Sequence, residues 1–137
     1  MQNWLVFSLL CIFLWGLWGF ILKFTYKDLS WLQTYFLSSL ASFMLALLVF
    51  LYYKGDISLR LRSTYIAMLA GVFGGAGYIF FVKALVTGKA SIVIPLTAIY
   101  PVVTVVLALL VLGEKISIYQ AIGVILAIVA TILISIK

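Results

Sequence analysis

The side chains able to do chemistry are few, and most are hydroxyls set among apolar residues. Thr97, Tyr100 and Thr104 recur at i, i+3 and i+7, which puts them on one face of a helix. They lie in the run GKASIVIPLTAIYPVVTVVLALLVLGEKIS (residues 88–117), where no ionisable carboxylate or amine stands between Lys89 and Glu114. The only two prolines of the chain, Pro95 and Pro101, interrupt that run. An interior proline withdraws the donor needed by the carbonyl four residues earlier. Pro101 therefore frees the Thr97 carbonyl and is expected to kink the helix. Pro95 is read as lying near the helix start, where donors are unpaired in any case. A hydroxyl stripe beside a freed carbonyl can hold a solute; a proline kink packed on a neighbouring helix would use the same residues.

Two cations and several aromatics share this setting. Ile12, Gly16, Gly19 and Lys23 line up at helical spacing, a shallow groove ending at an ammonium group. Lys83 lies inside another apolar run, four residues before Thr87. Each lysine either offers positive charge to a polar or anionic solute or snorkels to the interface. Trp15 and Trp18 offer stacking or apolar contact, or belong to an aromatic belt. Tyr78, in the third apolar run, is a further candidate contact.

Other chemistries find no footing. There is no histidine, and the single Cys11 sits in an apolar run where a thiol is most often a small hydrophobe. Asp28, Asp56 and Glu114 are the only acids, and all three fall in connections or at helix ends. No catalytic residue, metal site or cofactor is expected, and an enzyme is the least favoured class. The net charge of +6 comes without a basic face interleaved with aromatics, which sets nucleic acid aside.

Composition decides the medium these residues work in. The chain has 137 residues, 67% hydrophobic and 9% charged, with a mean hydropathy of +1.35. Soluble domains carry roughly a quarter charged residues, so this is an all-α membrane protein. Five runs reach the roughly 20 residues a span needs: 4–24, 32–53, 65–86, 92–112 and 118–136. The first lacks a basic leader and a small-x-small cleavage pattern, and is read as a retained span. The connections are short, so neighbouring spans run antiparallel. The expected organisation is one five-helix domain, 1–137.

In the second run Tyr35, Ser38, Ser39 and Ser42 share one side. Such hydroxyls line a cavity, or bond across helices or to their own carbonyls. Small residues form rows in the third run, Ala67, Gly71 and Gly75 beside Ala70 and Gly74, which suit close helix packing. Gln120, Gly123, Ala127 and Thr131 share a face of the fifth run. That run reads as an assembly helix.

Five spans place the termini on opposite sides. One side carries Lys54, Arg60, Arg62 and Lys115; the other carries Lys27, Lys89 and Lys137, joined by Lys23 and Lys83 if these snorkel. Positive charge therefore chooses an orientation only weakly. Insertion in both orientations, and an inverted pair with a midplane site, follows as an expectation.

Trp15-Gly16 with Lys23, followed by KALVTGKASIVIPLTAIYPVVTVVLALLVLGEKISIYQAIGVILAIVATILI (83–134), resembles one EamA repeat of the drug/metabolite transporter superfamily. Ala84-Leu85, Ala90-Ser91, Pro95-Leu96, Tyr100-Pro101, Gly113-Glu114 and Gly123 carry the resemblance. Members commonly have ten helices as two inverted five-helix repeats. One repeat alone implies an antiparallel homodimer, half of a ten-helix transporter in each copy. Glu114 resembles the family's helix-four glutamate, with a structural role at the turn. Small multidrug transporters also look similar, but they carry an acid in helix one that is missing here. The resemblance implies a multi-pass protein of the cytoplasmic membrane, touching lipid and moving small polar or amphipathic metabolites. It would work by alternating access around a cavity lined by helices one to four. A lipid-carrier flippase subunit and a non-transporting membrane assembly or accessory protein are the alternatives.

Overall fold

A bilayer core offers no partner to an open backbone, so each long apolar run closes its hydrogen bonds within a helix. A computed structural model describes residues 3–136, and every element among them is helical. The elements are α1 (Asn3–Thr25), α2 (Trp31–Tyr52), α3 (Arg62–Thr87), α4 (Ala90–Thr97), α5 (Tyr100–Leu107) and α6 (Ile118–Ser135). A π-helical turn, Ala108–Leu112, continues α5. Five spans are long and apolar enough to cross a membrane, the fourth being Ala90–Leu112. Every expected boundary lies within three residues of the observed one.

The helix ends have local causes. Ser30-x-x-Gln33 and Ser117-x-x-Gln120 form capping boxes that start α2 and α6. In each, the serine oxygen accepts the glutamine amide N–H and the glutamine oxygen accepts the serine amide N–H. Each cap contributes about 1 kcal/mol. Gly113 ends the fourth span in the left-handed region, φ 65°. Its amide and that of Glu114 both turn back to the Ala108 carbonyl. Glu114 thus enters the turn through its backbone.

The fourth span corrects two expectations. It begins at Ala90, so Pro95 falls in the second turn of α4, where it forfeits a bond to the Ser91 carbonyl. Pro101 does not kink the interior of one helix. The helix divides, Ala98 and Ile99 form a turn, and Pro101 lies in the first turn of α5, where its missing N–H costs nothing. The backbone stays right-handed through the break, Ala98 at φ −65°, ψ −1° and Ile99 at φ −76°, ψ −12°. Bonds three residues back, Ile99 to the Leu96 carbonyl and Val102 to the Ile99 carbonyl, replace the wider α-helical ones.

The chain divides into two units, one up to Thr87 and one from Gly88 on. In the first, burial is confined to one end. Gly19 and Leu22 of α1, Thr34 of α2, and Val82 and Leu85 of α3 are buried there. The N-terminal half of α1, the C-terminal half of α2 and most of the N-terminal half of α3 are exposed. In the second unit α4 packs on α6, with Val93 and Thr131 buried. Exposed Phe13, Phe43, Leu48, Phe73 and Leu110 are the surface that hydrocarbon covers.

Within their own units, several of the small-residue positions stand open. A Cβ placed on Gly16, Gly71, Gly74 or Gly123 would meet nothing within 4 Å. At Gly75 it would reach the Tyr35 hydroxyl at 3.6 Å, an ordinary contact.

Candidate functional site

The buried end of the first unit gathers aromatic rings and hydroxyls from three helices. Tyr78, Phe81, Val82 and Leu85 share one face of α3 at i, i+3, i+4 and i+7. Trp18 of α1 stacks on Phe81, centroids 5.2 Å apart and planes 14° apart. It also meets Tyr78 at 5.4 Å. Tyr35 of α2 reaches Tyr78 from the other side, again at 5.4 Å.

Hydroxyls tie the rings down. Ser38 Oγ donates to the Thr34 carbonyl at 2.6 Å. Its proton is committed, so the Tyr78 hydroxyl donates across to Ser38 Oγ, also at 2.6 Å. Thr25 Oγ1 donates to the Leu22 carbonyl, leaving Thr34 to donate to Thr25 at 3.0 Å. The second-run hydroxyls therefore serve both uses, Ser38 across helices and Ser42 to its own helix at Ser38.

The two lysines take different positions. Lys23 Nζ donates to the Leu85 carbonyl at 2.6 Å. Carbonyls in the last turn of a helix lack intrahelical donors and form the negative end of its dipole, so the ammonium caps α3. Lys83 is exposed and lays its Nζ 4.4 Å from the centre of the Trp31 ring, a cation–π contact. The Tyr26 hydroxyl, just past the end of α1, is buried and has no hydrogen-bond partner. Burial pushes its pKa up to about 12, and the Tyr78 phenol adds to the rise.

The second unit holds the other sequence candidates, apart from one another in use. Thr97 Oγ1 donates back to the Val93 and Ile94 carbonyls at 2.8 and 3.0 Å. Tyr100 and Thr104 are exposed. An open groove of about 450 Å³ runs between α5 and α6, lined by Pro101, Val102, Val105, Gln120, Gly123 and Ala127 among others. None of Thr97, Tyr100 and Thr104 lines it. Two of its polar groups are engaged: the Gln120 oxygen accepts from the Ser117 amide and the Thr131 hydroxyl donates to the Ala127 carbonyl. The α6 face read as an assembly surface thus forms the wall of an apolar groove.

Of the expected site residues, Trp18, Lys23 and Tyr78 come together at the buried end of the first unit. Trp15 is exposed along α1, and Lys83 turns to Trp31. Phe81, Thr34 and Tyr26 were not anticipated. Phe81 carries a signal, since it follows Tyr78 by three residues and so shares its face. Tyr26 stood in what read as a charged connection beside Lys27 and Asp28, and nothing local marks its hydroxyl as buried. Among the described residues no three His, Cys, Asp or Glu side chains gather to hold a metal.

Comparison with known proteins accounts for this layout. The profile of the EamA-like transporter family matches residues 2–136. The chain belongs to that family. It is therefore a multi-pass membrane protein of the drug/metabolite transporter superfamily, in which an EamA domain is half of the transporter. An uncharacterised protein of Methanocaldococcus jannaschii is 36% identical over 99 residues, 72% of each chain. No solved structure matches this EamA-like chain.

Proposed function

We propose that this EamA-like chain is a secondary transporter or facilitator of small polar or amphipathic metabolites. It acts as one five-helix domain that pairs with an inverted second copy and moves its solute by alternating access. The observation that carries the reading is the cluster of Trp18, Tyr35, Tyr78 and Phe81. It lies where three spans meet, bordered by hydroxyls and by Lys23. Rings supply apolar contact, hydroxyls supply directional bonds, and Lys23 supplies positive charge. No carboxylate lies within a span, so the reading favours facilitated movement or exchange over steep proton or sodium coupling. Trp15, Lys83, Thr97, Tyr100 and Thr104 are proposed as further contacts in the assembled pair. The open glycines Gly16, Gly71 and Gly74 are surfaces where helices of a second copy can approach closely. The cytoplasmic membrane is the proposed location.

Reporter tags on each terminus test the pairing: both orientations are expected, and a single uniform orientation would remove the inverted homodimer. Purified protein in vesicles, screened against amino acids, amines and sugars, tests transport. One observation favours a second reading, a flippase moving an amphiphile: the apolar groove between α5 and α6 is open along its side. Lipid-linked sugar scrambling without uptake of soluble solutes would select it.

A further inference from the structure

The hydroxyl of Tyr26 is the one buried side-chain polar atom without a hydrogen-bond partner among the described residues. Buried polar groups are almost always paired, because leaving one unmade forfeits its bond to water. Four hydroxyls of this end are spent: Thr25 on Leu22, Thr34 on Thr25, Ser38 on Thr34, and Tyr78 on Ser38. We propose that Tyr26 is a specificity-determining residue of the first-unit site, its O–H donating to a carboxylate or carbonyl oxygen of the solute. The inference rests on the transporter reading above.

Charge chooses an oxygen acceptor over an ammonium donor as the solute group. Lys23 and Lys83 bring two positive charges to this end of the unit, and no span carries a carboxylate to offset them. The cation–π face of Trp31 is already taken by Lys83. In the connection that carries Tyr26, Asp28 is matched by Lys27, so Lys23 and Lys83 leave this end net positive and an organic cation would meet repulsion here. The raised pKa keeps the Tyr26 phenol protonated, and so a donor, across the physiological range. A flat apolar body would find Trp18 and Phe81, already stacked at 5.2 Å, as its surface.

Tyr26→Phe deletes the hydroxyl and keeps the ring. Three matched probes serve as ligands: benzoate, benzamide and benzylamine. Benzoate and benzamide are expected to raise the unfolding temperature of the purified wild type, and benzylamine is not. Tyr26→Phe without ligand should unfold at the wild-type temperature or above, because an unpaired polar atom is gone. Its half-saturating benzoate concentration should rise about tenfold, the loss of one charge-assisted hydrogen bond. A lower unfolding temperature for ligand-free Tyr26→Phe would show a structural partner and overturn the proposal. So would benzylamine as the preferred probe, no response of the wild type to benzoate and benzamide, or equal benzoate binding in the two proteins. Vesicle uptake separates the two ideas. Wild-type transport retained unchanged in Tyr26→Phe sinks the role of Tyr26 alone, whereas a wild type that moves no solute sinks the transporter reading itself.

Discussion

Tyr78 is where the first unit can be taken apart one interaction at a time. Its ring touches Trp18 and Tyr35 at 5.4 Å each and Phe81 at 6.4 Å. Its hydroxyl bonds across helices to Ser38 and also meets the Trp18 side chain. Tyr78→Phe removes these polar contacts and keeps the ring. Ser38 keeps its own donor on the Thr34 carbonyl, so no buried donor is orphaned. The cost should be near the membrane average of about 0.6 kcal/mol and below about 1.7 kcal/mol. Tyr78→Ala also removes three ring contacts, each worth about 0.5–1.5 kcal/mol, so it should cost about 2–5 kcal/mol in all. Reversible unfolding in mixed detergent micelles, read by tryptophan fluorescence, measures both; Trp18 reports on the cluster directly. Equal costs for the two variants, or a loss above about 2 kcal/mol for Tyr78→Phe, would refute an aromatic cluster as the chief bond among α1, α2 and α3.

Three further outcomes follow from the same geometry. Lys23→Met should destabilise the unit by about 1–2 kcal/mol in the same unfolding assay, because the Leu85 carbonyl loses a charged donor at a helix C-terminus; Lys23→Arg should recover part of it. Gly113→Ala should cost about 1 kcal/mol from left-handed backbone strain alone, since its Cβ would touch nothing; Gly113→Asn should cost less. Stability should fall with alkali in a window set by Tyr26. Its pKa is about 12 in the folded protein against 10.0 ordinarily, so above pH 10 the unfolded chain releases a proton that the native chain keeps. Unfolding becomes easier from about pH 10 to 12, and Tyr26→Phe should show a shallower fall over that window than the wild type.

Spans were legible because membrane helices announce themselves by length and apolar continuity, and the glycine and charged connections mark their ends. Pro101 was legible as a disruption but not as a division of the helix. Whether a freed carbonyl leads to a bend or to a 3₁₀ turn depends on how neighbouring residues close their own bonds. The hydroxyl stripe Thr97, Tyr100, Thr104 was legible as a spacing, but not in how each hydroxyl is used. Its first member satisfies itself on Val93 and Ile94, a local choice that periodicity does not reveal. The opposite held at Tyr78. Its partners Ser38 and Trp18 lie 40 and 60 residues away in sequence, and only the antiparallel return of α2 and the parallel run of α3 beside α1 bring them together. Tyr26 was invisible for a similar reason: burial of one hydroxyl at a helix corner is a tertiary fact. The glycine rows read as packing seams, and within each unit Gly16, Gly71, Gly74 and Gly123 keep open space where a Cβ would stand.

The most direct test of the central claim is uptake of labelled solutes into vesicles containing the purified wild type, with a Trp18→Ala protein of verified fold measured beside it. The account expects saturable entry of at least one small polar or amphipathic solute, strongly slowed when Trp18 no longer covers Phe81 and Tyr78. Entry no faster than into protein-free vesicles for every solute, or an unchanged rate in Trp18→Ala, would contradict it.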